Sequence, residues 1–311
     1  MDILILDEFA ADYAGPLRAA FPEHQFHEAL NHTQALQHCA NARVLVAFAH
    51  DVSDDLVAAM PHLEWVCAVT TGTDHLNTLR SLKPEVRITS ARGIHGPQMS
   101  EMAIFYMIAL ARNFRLTFEN QKKHVWQRRP QSLLLGKTVV IVGIGLIAEE
   151  MALRFKAFGM TTIGVSDARR EGRGFDEIVP RADLHKGAAR ANYLIALVPY
   201  TSATHHMIDA SVLSAMPRHG FFINLARGNV VDETALIEHL RDGKIAGAGL
   251  DVFATEPLPQ DSPLWDMDNV IVTPRIGGMS DVYALQVLPL IEKNLRAFAD
   301  NRPGDMINIV R

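Results

Sequence analysis

Short apolar runs alternate with amphipathic stretches along residues 1–97, the pattern of a parallel sheet wrapped by helices. Strands are expected at 3–6, 44–47, 65–69 and 86–89, with helices near 14–21, 33–39 and 53–59. Pro97 then introduces the longest helical pattern in the chain, 98–128. Its first half (Met102, Ala103, Tyr106, Met107, Leu110, Ala111, Phe114) is apolar at helical spacing, and its second half turns polar. Such a stripe reads as core or subunit interface. From 135 onward a second α/β series begins, with strands expected at 138–142, 161–165, 193–198, 221–224, 247–250 and 270–272. Helical patterns lie at 147–158, 209–215, 232–242 and 281–299, and the last is read as crossing back to complete the first domain. The expected domains are therefore 1–97 with 281–311, and 98–280.

The strand at 138–142 runs into Gly143-Ile144-Gly145-Leu146-Ile147-Ala148 and then a helical pattern that ends at Gly159. A tight turn with little side chain lets a pyrophosphate approach the N–H groups at a helix N-terminus. Strand before, helix after and a second strand about 20 residues on mark a dinucleotide-binding turn. Ala148 stands at the third glycine position, a variation the fingerprint allows.

Composition narrows the partners. At 311 residues the chain can form two domains, and 48% hydrophobic with 21% charged residues is the balance of an ordinary globular protein. A formal net charge of -5 and no long basic run argue against nucleic acid. Cys39 and Cys67 lack metal or disulfide spacing and read as buried small hydrophobes. No stretch approaches the roughly 20 apolar residues of a membrane span, and the N-terminus reads as a strand rather than a signal peptide. A reducing cytoplasm is the expected address.

Three segments follow in order near the C-terminus: Asn-Leu-Ala-Arg-Gly around Arg227, Asp251-Val-Phe-Ala-Thr-Glu256-Pro, and Val-Thr-Pro-Arg275-Ile-Gly277-Gly. Earlier lie Thr70-Thr71-Gly72-Thr73-Asp74-His75, Ala91-Arg92-Gly93-Ile94-His95-Gly96, and Val198-Pro199-Tyr200-Thr201 with Thr204. Together they resemble the D-isomer-specific 2-hydroxyacid dehydrogenases over nearly the whole chain. The resemblance implies a doubly wound parallel-sheet (Rossmann) cofactor domain inserted in a smaller flavodoxin-like α/β substrate domain, the two lining one cleft. It implies hydride transfer between NAD(P)H and a small 2-keto or 2-hydroxy acid, and a homodimer built around the cofactor domain. The segments around Pro257 and Trp265 are similar to those of glyoxylate and hydroxypyruvate reductases.

By the same resemblance, Gly143, Gly145, Leu146, Ile147, Val198, Pro199, Thr204, Leu225, Ala226 and Gly277 line the cofactor, and Asp251 orients its carboxamide. Gly72, Thr73 and His95 lie on the substrate side, and Arg227 reaches both the carboxylate and the ketone oxygen. Ser166 falls where NAD-specific members place a ribose-binding carboxylate. With Arg169 and Arg170 nearby it would suit a 2′-phosphate, although Asp167 would repel one unless it turns away, so the balance favours NADP over NAD.

The family's proton donor is a histidine in Thr-Pro-His, and here that position is Arg275. A guanidinium with a pKa above about 12 is a poor proton donor, though it can stabilise negative charge. Three readings follow. The protein remains an oxidoreductase, with Arg227 and Arg275 polarising the carbonyl and water or His95 supplying the proton. Two arginines select a more anionic substrate. Or catalysis is lost, and the chain binds nucleotide and keto acid as a sensor or interaction protein. In each, Glu256 is expected to pair with Arg275.

Overall fold

Two all-parallel sheets, each flanked by helices, carry the chain, and the computed structural model describes all 311 residues. Contacts divide the chain into one unit of residues 1–94 with 280–311 and a second unit of residues 95–279. No helix is long and apolar enough to cross a membrane.

In the first unit β1 (Asp2–Leu6), α1 (Ala10–Ala20), β2 (Gln25–Ala29), α2 (His32–His38), β3 (Ala42–Ala47), α3 (Asp54–Ala58), β4 (Trp65–Ala68) and β5 (Arg87–Ser90) follow one another. The strand order β2-β1-β3-β4-β5 is that of flavodoxin-like folds. Side chains alternate across the sheet, so Ile3, Ile5, Val44, Val46, Trp65 and Cys67 enter one core layer, and Leu4, Leu6, Leu45, Ala47, Val66 and Ala68 the other. Both layers need apolar residues, which is why these strands read as continuous hydrophobic runs. Cys39 and Cys67 are buried free thiols, and burial pushes the Cys67 thiol up to about 12, so it packs and does not react. The strand at Gln25–Ala29 has no counterpart in the sequence reading. It is a sheet edge paired only with β1, it buries only Phe26 and Ala29, and its polar composition hides it.

The second unit runs α4 (Gly96–Ala111), α5 (Phe114–Lys122), β6 (Thr138–Val142), α6 (Leu146–Ala157), β7 (Thr161–Val165), β8 (Glu177–Val179), α7 (Leu184–Ala188), β9 (Tyr193–Ala196), α8 (Ala210–Ala215), β10 (Phe221–Asn224), α9 (Glu233–Arg241), β11 (Gly247–Leu250) and β12 (Val270–Val272). Its sheet order, β12-β11-β10-β9-β6-β7-β8, is the Rossmann order, and it reverses between β6 and β9. Ligands of such sheets bind beyond the strand carboxyl ends at that reversal. Finally α10 (Tyr283–Ala299) belongs to the first unit, where Val287, Ile291 and Leu295 share a core with Tyr13 and Leu17 of α1.

One expected helix is corrected. The pattern over 98–128 forms two helices, because Asn113 adopts a left-handed φ of 46° and its side chain caps the N–H of Leu116. No residue of α5 is buried, so past Lys122 no packing sustains a helix and the chain runs on irregularly. The strand expected over 193–198 ends at Ala196, as the chain turns toward Pro199.

Candidate active site

The dinucleotide turn sits at the carboxyl end of β6. Gly143 holds a φ of +102°, and a Cβ there would lie 2.8 Å from Val198 Cγ1 and 2.9 Å from the Val198 nitrogen, so only glycine lets the exits of β6 and β9 approach so closely. Around Gly145, the residue preceding α6, an added Cβ would meet nothing within 4 Å, which leaves this backbone open to a ligand. The first-turn N–H groups of α6, among them those of Leu146 and Ile147, have no partner within the helix, and α6 begins beyond the carboxyl end of β6, next to the reversal between β6 and β9. This donor set fits a pyrophosphate. Beyond β9, Thr204 is 3% exposed, donates to the Pro199 carbonyl at 2.7 Å and accepts the Thr201 N–H at 2.7 Å, fixing the turn that follows Val198.

Beyond β7, the Ser166 hydroxyl accepts the Arg169 N–H at 3.2 Å. Asp167 is turned toward the exit of β8, where its carboxylate accepts the Arg181 N–H at 2.8 Å and lies 3.5 Å from the Arg181 guanidinium. Arg170 donates to the Ser166 and Asp167 carbonyls at 2.9 and 3.1 Å. Arg169 is not merely a solvated charge, since its guanidinium meets the Glu149 carboxylate of α6 at 3.0 Å.

The exits of β10, β11 and β12 carry the remaining second-unit candidates. The Asn224 side chain accepts the Ala226 N–H at 3.1 Å and donates to the Arg227 carbonyl at 3.2 Å, holding the chain through Leu225 and Ala226 in a fixed turn. A Cβ on Gly228 would lie 1.8 Å from the Phe253 carbonyl oxygen, so the backbone after Arg227 and the backbone after Asp251 are in direct contact. Arg227 itself is half-buried, and its Nη1 donates to the Ala226 carbonyl at 2.7 Å.

Asp251 is 4% exposed and organises the segment that bears Arg275. Its carboxylate accepts the N–H groups of Ile276 and Gly277, each at 2.9 Å, together with the Thr273 hydroxyl. Thr273 in turn meets the hydroxyl of Tyr106 on α4. Burial pushes the Asp251 carboxyl above its usual range, and the Thr273, Gly277 and Ile276 donors act in the opposite direction. Between the anchors at Thr273 and Ile276, Arg275 adopts a left-handed φ of 57°, uncommon for a side-chain-bearing residue. Its Nη1 lies 2.6 Å from Glu256 Oε2, while Glu256 Oε1 accepts the Phe253 N–H at 3.1 Å.

His95 precedes α4 and is 7% exposed, and its ring lies against Gly278, whose carbonyl accepts from Gln98 at 3.3 Å. It belongs to the second unit by contact, beside the segment that bears Arg275. In the first unit, Gly72 and Thr73 follow β4, where the Thr70 hydroxyl donates to the Gly72 carbonyl at 2.9 Å and Thr73 is 8% exposed. Tyr106, Glu149 and Arg181 escape the sequence reading as site residues, and Asn224 and Thr273 stand in its quoted segments without a role assigned. Tyr106 is hidden within an apolar stripe, and the others look like ordinary turn or helix residues.

Comparison with known proteins places this geometry. The family model for the D-isomer specific 2-hydroxyacid dehydrogenase NAD binding domain matches residues 104–277, and that for the catalytic domain matches residues 3–135. A glyoxylate reductase from Korarchaeum cryptofilum is 32% identical over 274 residues, covering 85% of this chain and 82% of the relative. Among solved structures, a family protein from Aeromonas salmonicida is 34% identical with a TM-score of 0.91, over 100% of this chain and 98% of that one. An NADPH-dependent glyoxylate/hydroxypyruvate reductase from Sinorhizobium meliloti, solved with NADP and sulfate, is 29% identical with a TM-score of 0.85, over 100% and 98%. With both family models matched and the Rossmann order and nucleotide turn in place, the chain belongs to the D-isomer specific 2-hydroxyacid dehydrogenase family.

Proposed function

We propose that this chain reduces a small 2-keto acid of the glyoxylate or hydroxypyruvate class with NAD(P)H. The observation that carries the reading is the gathering of Arg227, Asp251, Glu256 and Arg275 at the carboxyl ends of adjacent strands, in the same unit as the nucleotide turn. Bound NAD(P)H supplies the hydride. The N–H groups around Gly145 and the start of α6 hold its pyrophosphate, and Asp251 keeps an Oδ2 lone pair for its carboxamide. Arg227 binds the substrate carboxylate and the ketone oxygen with one planar fork, and its charge stabilises the alkoxide as hydride arrives.

Arg275 acts as a fixed charge rather than as a proton donor. Glu256 sits 2.6 Å from it, so the pair adds little net charge, and this favours small monoanions over the dianionic substrates that two unpaired arginines would select. The proton comes from water or from His95, which lies beside the Arg275 segment. NADP is the preferred cofactor, because Asp167 is drawn to Arg181 and leaves Ser166 and Arg170 to meet a 2′-phosphate. A homodimer buries the exposed aromatic side chains of Phe105, Phe114, Phe118 and Trp126, the last 92% exposed. A monomer in sedimentation at working concentration would contradict that assembly.

The test is NADH and NADPH oxidation with glyoxylate, hydroxypyruvate and a dicarboxylic 2-keto acid. Turnover fastest on a small monoanion supports the reading, and in that assay His95→Ala should lower kcat by about 10²-fold or more if His95 supplies the proton, the low end of general-acid effects. Tight cofactor binding without turnover of any keto acid would instead mark a nucleotide sensor.

A further inference from the structure

We propose that Glu149 sets the choice between NADPH and NADH by acting as a built-in counter-charge to Arg169. This rests on the reading that the turn after β7 receives the cofactor's adenosine ribose. Glu149 lies in the first turn of α6, and its side chain is only 10% exposed. A carboxylate at that depth needs partners. It has two from the turn that follows β7: the Arg169 guanidinium at 3.0 Å and the Arg173 N–H at 3.3 Å. The Arg169 N–H is in turn held by the Ser166 hydroxyl at 3.2 Å, so one residue joins the buried carboxylate to the ribose-side serine. Asp167, the other carboxylate of this turn, is engaged elsewhere by Arg181.

Arg169 therefore meets an incoming cofactor already paired. The 2′-hydroxyl of NADH brings no charge and leaves the pair intact. The 2′-phosphate of NADPH brings about -1.5 to -2 charges toward a guanidinium whose partner is itself negative. Binding NADPH through Arg169 thus means sharing that guanidinium between two anions, one of them fixed in the protein. Glu149 is a positioning residue here. It orders Arg169 beside Ser166, and its charge lowers the advantage that the 2′-phosphate would otherwise have.

Glu149→Gln separates the two effects, because it keeps the volume and an acceptor oxygen for Arg169 and Arg173 but removes the charge. Titrating NADPH and NADH into the full-length protein, with intrinsic or nicotinamide fluorescence as readout, gives both Kd values. The substitution should shift the NADPH-to-NADH Kd ratio by about tenfold in favour of NADPH, the size of one partly screened charge–charge interaction. In an Arg169→Ala background the same substitution should leave the ratio unchanged, an outcome that general loosening of the turn would not produce. Arg169→Ala alone, at a half-exposed position, should weaken NADPH more than NADH and does not depend on the Glu149 variant folding. If both cofactors bind and Glu149→Gln leaves their ratio unmoved, or shifts it equally without Arg169, the role of Glu149 is wrong while the cofactor reading stands. If neither cofactor binds the unmodified chain, both are wrong.

Discussion

Replacing Arg227 with alanine is expected to lower kcat/KM for 2-keto acid reduction by about 10³-fold or more, with the NAD(P)H Kd staying within about threefold. The size follows from the charge that develops. As hydride reaches the carbonyl carbon, its oxygen becomes an alkoxide, and Arg227 is proposed to meet that oxygen and the neighbouring carboxylate with one rigid fork. Losing a single neutral oxyanion donor typically costs about 10²–10³, and a charged, paired donor is worth more. The position supports a precise role, because Asn224 bonds both sides of the turn that carries Arg227, and Gly228 seats that turn directly on the backbone after Asp251. Arg227→Lys should recover only a small part of the loss, since a single ammonium cannot span both oxygens. Steady-state kinetics with saturating NADPH checks the kcat/KM change, and fluorescence titration checks that cofactor binding persists. A loss of less than tenfold would remove Arg227 from the reacting centre.

The second large effect runs the other way. Arg275→His is expected to raise kcat by about 10²–10⁴ near pH 6, the range of a general acid supplied where none was present. It should also make reduction pH-dependent. Reduction consumes a proton, so an imidazole works as donor only while protonated, and Glu256, now 2.6 Å from Arg275, would hold it protonated above the ordinary histidine pKa of about 6.5. Below the raised pKa the donor is loaded and the gain is complete, whereas above it kcat falls and the variant approaches the parent. With water as the donor the unmodified chain should show a flatter kcat profile between about pH 5 and 9 than the His variant, whereas His95 as the donor would give the unmodified chain a fall of its own with rising pH. The backbone should accept the change. Position 275 has a φ of 57°, and histidine is among the residues enriched in that region. A His variant whose rate matches the parent at every pH would mean that another group, His95 first, already delivers the proton.

How much of this was legible in the sequence depends on how each residue is buried. β6, β7, β10 and β11 have the bounds expected from hydrophobicity alone, because interior strands of a covered parallel sheet need apolar residues on both faces, and β12 keeps its expected bounds at a sheet edge. The edge strands β2 and β8 were missed because they bury little, two residues in β2 and none in β8, so neither shows as an apolar run. The helix pattern over 98–128 misled for a related reason. Periodicity records a face that could be buried, and α5 buries none of its residues.

Within the site, Gly143, Arg227, Asp251, Glu256 and Arg275 stand in recognisable segments and could be named from the chain. The pairing of Glu256 with Arg275 was expected as well, whereas the network that holds them was not. Tyr106 reads as one more apolar-stripe residue, yet its hydroxyl completes the Thr273–Asp251 network beneath Arg275, joining α4, the exit of β11 and the segment after β12. Glu149 reads as an ordinary helix-surface acid, and only the folded turn after β7 makes it the partner of Arg169. Of the three readings of Arg275, the one with two arginines selecting a more anionic substrate is weakened by the expected Glu256 pair, which answers one of those charges.

The most direct test of a reductase with a fixed charge in place of its titrating acid is a paired initial-rate assay at pH 6. The unmodified chain and Arg275→His are compared on glyoxylate and hydroxypyruvate with saturating NADPH. The expected result is measurable turnover by the unmodified chain and turnover by the His variant faster by about 10²-fold or more. Tight NADPH binding with no turnover by either protein would contradict the account.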